Sequence, residues 1–197
     1  MPKQPVRILA FGDSLTAGWG LQPSKTVPAC LESTLIKEGF DVSFINAGVP
    51  GETTEGGIRR FEKALGCNPD LVILELGAND NLQALPLTVT KTNLDAMLGI
   101  LAARNIPALF AGIRPLRDLG PDTNFRFVSL FHELASRHAV PFYPDYLDGV
   151  AGNPMLLQKD GLHPNARGAR EIVKRLRPLV IDMLRALEGS APAGSQP

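Results

Sequence analysis

The sequence holds only two cysteines, Cys30 and Cys67, too few for a disulfide scaffold and at no metal-ligand spacing. Both are expected to be buried thiols that pack as small hydrophobes. Neither sign of charge is in excess: Lys plus Arg and Asp plus Glu each number 20. That balance argues against nucleic acid or an anionic membrane as the main partner and suits a small neutral substrate. No apolar run approaches the roughly 20 residues that span a bilayer, so stable membrane association is not expected. The start Met1-Pro2-Lys3-Gln4-Pro5 has no apolar signal core. As written the chain reads as cytoplasmic, with a periplasmic or secreted destination open if a leader was removed. Oligomeric state is left open, a homo-oligomer included.

At 197 residues the chain fits one domain, 1–189, and the small, polar, Pro- and Gly-rich stretch 190–197 is expected to be a disordered tail. Short apolar runs at 6–11, 42–46, 71–76, 106–111 and 140–143 predict five strands covered on both faces. Between them the spacing predicts helices over 26–38, 54–65, 88–104, 123–138 and 165–187. Strands alternating with helices imply an α/β fold, a parallel sheet with right-handed crossovers and helices on both faces. In such a sheet the functional crevice lies beyond the carboxyl ends of the strands, which fixes the loops to search.

The first of those loops reads Gly12-Asp13-Ser14-Leu15-Thr16. Ser14 is a candidate nucleophile there, and equally a turn or helix-cap serine, because a hydroxyl attacks only when a base takes its proton. Of three histidines, His132 and His138 lie six apart in a helical stretch and read as surface residues. His163 sits in Asp160-Gly161-Leu162-His163-Pro164, before the last helix and at the sheet edge where Ser14 emerges. An Asp three residues before a His in a tight turn can reach Nδ1 and orient the ring; capping a turn is the plainer role for Asp160. Asn46-Ala47-Gly48-Val49-Pro50-Gly51 and Gly77-Ala78-Asn79-Asp80-Asn81 follow the second and third strands. Gly48, Asn79 and the Ser14 amide are candidate donors to an oxyanion, although a turn glycine and an Asx-turn would look the same. Asp13 reads as a loop brace.

Four such blocks in order, Gly12-Asp13-Ser14-Leu15, Gly48 with Gly51, Gly77-Ala78-Asn79-Asp80 and Asp160-Gly161-Leu162-His163-Pro164, resemble the SGNH or GDSL hydrolases over nearly the whole chain. The look is that of the bacterial thioesterase I, lysophospholipase and arylesterase branch, the stretch around Ile113-Arg114 included. The resemblance implies a three-layer flavodoxin-like fold with a five-stranded parallel sheet, and hydrolysis of esters or thioesters without metal or organic cofactor. It implies Ser14 as nucleophile, His163 as general base, Asp160 as its orienting partner, and Gly48 and Asn79 as oxyanion donors. A carbohydrate O-deacetylase would use the same residues. Thr16 stands where the α/β-hydrolase elbow has its second glycine, which disfavours that fold. A flavodoxin-like module cradling a phosphate or flavin at 12–20 leaves Asp160 and His163 without a role. For an apolar acyl or aryl pocket the candidates are Trp19, Leu21, Met155, Leu156 and Leu157, all with core packing as the alternative. Arg114 would meet an anionic headgroup or make an ion pair.

Overall fold

The computed structural model describes residues 4–190. Five parallel strands, β1 (Val6–Gly12), β2 (Val42–Gly48), β3 (Leu71–Glu75), β4 (Ala108–Ala111) and β5 (Phe142–Tyr143), form one sheet in the order β2-β1-β3-β4-β5. The longer helices between them are α2 (Val27–Lys37), α3 (Thr54–Leu65), α5 (Leu87–Ala103), α6 (Pro121–His138) and α7 (Ala166–Ser190). With the right-handed crossovers that parallel strands almost always take, the step from β1 out to β2 and the steps back through β3, β4 and β5 put their helices on opposite faces. Accordingly α2 packs with α7 on one side, while α5 packs with α3 and α6 on the other. The result is the three-layer α/β arrangement expected from the alternation.

β1 and β3 are the covered centre of the sheet. Ile8 to Gly12 and all of Leu71–Glu75 are buried, and Phe11, Phe61, Phe110, Phe127 and Phe131 fill the space between sheet and helices. Each fully buried aromatic or aliphatic side chain of this kind is worth roughly 1.5–3 kcal/mol of transfer free energy. The strand order reverses between β1 and β3, so the chain diverges there and leaves a crevice beyond Gly12 and Glu75.

Two differences from the periodicity have local causes. β4 and β5 begin later than the apolar runs, since Pro107 and Pro141 lack an N–H for the ladder and contribute only their carbonyls, to Val72 and Phe110. The helices α1 (Ser14–Ala17) and α4 (Ala78–Leu82) are one turn long, too short to show a period. Helix α7 extends to Ser190, so the expected tail loses that residue to the helix, and 191–197 lie outside the described residues. Cys30 and Cys67 are free but only partly buried, because each sits at the rim of the core and not within it.

Candidate active site

Past β1 the chain turns into α1 because the Asp13 side chain accepts the Leu15 amide at 2.9 Å. That cap puts Ser14 at the first helical position, where its amide has no partner inside the helix. His163 comes from the far end of the chain. An antiparallel bridge between Leu157 and Pro164 closes 157–164 into a narrow loop, and Asn165 fastens its base by donating to the Met155 and Leu157 carbonyls. Gln158 then donates to the Trp19 carbonyl at 2.6 Å and the Pro164 carbonyl at 3.0 Å, joining this loop to the one after Ser14.

Within that loop Asp160 Oδ1 accepts the Leu162 and His163 amides at 2.9 and 3.0 Å. Its Oδ2 lies 2.7 Å from His163 Nδ1, and His163 Nε2 lies 2.8 Å from Ser14 Oγ. Partial desolvation pushes the Asp160 carboxyl up, but the bonds from the Leu162 amide, the His163 ring and the His163 amide outweigh it and hold the group at about 2. An ionised carboxylate only accepts, so Nδ1 carries the ring proton and donates it to Asp160. Nε2 then presents its lone pair, and the Ser14 hydroxyl donates to it.

Asn79, on α4, donates from Nδ2 to Asp13 Oδ2 and to the Glu52 carbonyl, each at 3.0 Å. Gly48 is placed differently from the sequence expectation. Its amide donates to Asn46 Oδ1 at 3.0 Å, and a Cβ there would lie 2.2 Å from the Ala17 amide nitrogen. Gly48 is a glycine so that β2 can pack against α1, and it does not line the cleft. Gly51 does line it: its φ of +79° suits glycine, open space surrounds the position, and its N–H has no acceptor among the described residues. The loop that carries it is braced by Glu52, which takes a two-pronged contact from Arg60, whose guanidinium also stacks 3.9 Å over the Phe11 ring.

Under this turn lie two buried acids. Burial raises the Asp13 carboxyl to about 7 against the opposing bonds from the Leu15 amide and Asn79, with Asp80 and Glu52 adding to the rise. Burial, and then the charge of Asp13, push Glu75 well above the ordinary carboxylate range. Glu75 Oε2 accepts the Thr16 hydroxyl at 2.8 Å, while Oε1 is buried with no hydrogen-bond partner among the described residues.

Ser14, His163 and Asn79 open into a cleft of about 460 Å³ whose remaining walls are Leu15, Trp19, Pro50, Gly51, Ala78, Leu82, Leu116 and Leu162. A reacting carbonyl would thus meet a hydroxyl, an imidazole and amide donors amid apolar surface. Among the described residues no group of three or more His, Cys, Asp or Glu stands close enough to hold a metal ion.

A sequence model of the GDSL-like lipase/acylhydrolase family matches residues 10–171. The chain belongs to that family. It is 33% identical over 179 residues to an arylesterase of Vibrio mimicus, covering 86% of this chain and 90% of the relative. The thioesterase 1/protease 1/lysophospholipase L1 of Escherichia coli K12 is also 33% identical, over 88% of this chain and 84% of its own. Among solved structures, the psychrotrophic esterase EstA from Pseudoalteromonas sp., inhibited by monoethylphosphonate, superimposes with a TM-score of 0.86 at 30% identity, covering 91% of this chain and 99% of that one. Family and relatives together make this chain a carboxylic ester hydrolase.

Of the pocket candidates read from sequence, only Trp19 lines the cleft, its ring 6.4 Å from that of His163. Arg114 instead pairs with Asp145 at 2.7 Å, away from the cleft. Met155 is 64% exposed and points to solvent; Leu156, Leu157 and Leu21 pack against the core. These residues follow the rule that a loop buries its leucines where the nearest core is, which need not be the substrate pocket. His132 is exposed, as expected, whereas His138 is half-buried with Nε2 2.7 Å from Asp95. Leu82, Leu116 and Leu162, none of them a pocket candidate from sequence, supply the apolar walls, and no periodicity marks them because they lie in a one-turn helix and two loops. Among the described residues no helix is long and apolar enough to cross a membrane.

Proposed function

We propose that the chain hydrolyses carboxylic esters through an acyl-enzyme on Ser14, with His163 as general base and Asp160 orienting it. The observation that carries this reading is the unbroken hydrogen-bonded line from Asp160 Oδ2 through His163 to Ser14 Oγ, at 2.7 and 2.8 Å. As Ser14 Oγ attacks the acyl carbon, its proton passes to His163 Nε2, and the imidazolium is stabilised by the Asp160 carboxylate. The carbonyl oxygen gains charge and is met by the amides of Ser14 and Gly51 and by Asn79, replacing the Gly48 amide expected from sequence. Because both Nδ2 hydrogens of Asn79 already have acceptors, the oxyanion shares one of them. His163 then protonates the departing alcohol, and a water repeats the sequence to release the acid and restore Ser14.

The substrate class follows from the walls. Among the described residues no lysine or arginine lines the cleft, so esters with an uncharged apolar acyl or aryl group fit it better than anionic ones. Thioesters, and lysophospholipids bound by their apolar acyl chain with the charged headgroup outside the cleft, are the finer candidates, after the thioesterase and lysophospholipase in the name of the Escherichia coli relative.

Ser14→Ala and His163→Ala are each expected to remove nearly all p-nitrophenyl butyrate hydrolysis with an unchanged melting temperature, and a fluorophosphonate probe is expected to label the wild type but not Ser14→Ala. Full turnover by either variant would sink the assignment.

A further inference from the structure

One buried polar side chain beside the site takes no part in the chemistry above. Asn81 is 2% exposed, two residues beyond Asn79 on α4. Its Oδ1 accepts the amides of both Leu116 and Arg117 at 2.7 Å, and its Nδ2 donates to the Arg117 carbonyl at 3.2 Å. The segment it grips, 113–120, has no strand or helix of its own. Its far end is tied separately, by Asp118 to the Gly120 amide and to Asn124. Leu116, next to the gripped peptide, forms a wall of the cleft facing the same space as Leu82 and Asn79.

Helix α4 is itself held. Asp80 accepts the Thr54 amide at 2.8 Å and the hydroxyls of Thr54 and Thr90, which locks α4 to α3 and α5. Consecutive residues of one turn therefore carry an oxyanion donor, an anchor to the scaffold, a clamp on the neighbouring wall segment and a wall residue.

We propose that Asn81 is a specificity-determining positioning residue, fixing Leu116 at a set distance from Asn79 and so setting the width of the slot that receives the apolar group of the ester. This deepens, and rests on, the ester-hydrolase reading of Ser14 and His163. The physical reason is accounting: two amides take their acceptor from one oxygen, and removing it forces the segment to move until water satisfies them. A shifted segment takes Leu116 with it.

The test compares wild type, Asn81→Ala, Leu116→Ala and the double variant on p-nitrophenyl acetate and octanoate, and on a parallel series of alkyl acetates. Asn81→Ala is expected to lower the kcat/KM ratio of the bulkiest to the smallest substrate by about tenfold in at least one series, mainly through KM. Leu116→Ala is expected to do the same, and the double variant to add little, because both act on one wall. Asn81→Asp keeps both amide contacts and, when protonated, can still donate to the Arg117 carbonyl, so at mildly acidic pH it is expected to restore most of the ratio, which also serves if Asn81→Ala folds poorly. Unchanged ratios in both series, or additive losses in the double variant, would overturn the clamp. Full turnover by Ser14→Ala on the same substrates would overturn the parent reading instead, so the two failures are distinguishable.

Discussion

The Asn79 amide is bonded to the Asp13 carboxylate across 3.0 Å, although 66 residues separate them. The residue beside the nucleophile thereby holds the donor on α4, adding a hydrogen bond between the turn after β1 and the turn after β3. Asn79→Ala is expected to lower kcat on the order of 10²-fold with little change in KM, the loss seen for a single oxyanion donor. A change below about threefold on p-nitrophenyl butyrate would remove Asn79 from that role.

Asp13 also gives the fold a pH signature. Its folded pKa, raised to about 7, exceeds the ordinary 3.8, so between those values the folded chain keeps a proton that the unfolded chain has lost. Stability therefore falls as pH rises through that window, by an amount on the order of a few kcal/mol in total. Glu75, raised likewise by burial and by Asp13, adds in the same direction, and Asp80, Glu52, Tyr146 and the Glu52-bound Arg60 are the other ionisable groups near the pair. Urea midpoints of Asp13→Asn measured from pH 4 to pH 7 are expected to fall less steeply than those of the wild type. Parallel slopes would contradict this. The same variant sets an amide against Asn79 and is expected to lose activity.

Asp160→Asn keeps the shape of the loop but removes the acceptor that holds the proton on Nδ1. Turnover is expected to drop on the order of 10³- to 10⁴-fold at neutral pH, with a melting temperature close to wild type. A drop below tenfold would mean that His163 keeps its tautomer without Asp160.

The two glycines after β2 separate by their variants. Gly48→Ala drives a Cβ into the α1 backbone and is expected to cost roughly 1–3 kcal/mol of stability, read from denaturant midpoints. Gly51→Ala has open space but a left-handed backbone, so it is expected to shift the loop and lower kcat more than it lowers stability. The reverse pattern would return the oxyanion role to Gly48.

What the linear sequence determined is whatever depends on near neighbours. Alternating apolar runs of strand and helix length dictate the α/β fold, because burial on both faces and the handedness of crossovers leave few topologies. Asp160 and His163 were legible for the same reason: three residues apart in a tight turn, their contact is local. Tertiary structure alone decided which glycine meets the cleft, since helix α1 packs on Gly48 while Gly51 stands in open space with a left-handed backbone. It also decided that Leu116, Leu82 and Leu162 wall the pocket in place of Met155, Leu156 and Arg114, and that Glu75 lies buried beneath Thr16, its carboxyl pushed upward by burial. Those contacts join segments tens of residues apart, and their partners are chosen by how the sheet brings strand ends together, a distance that no spacing along the chain encodes.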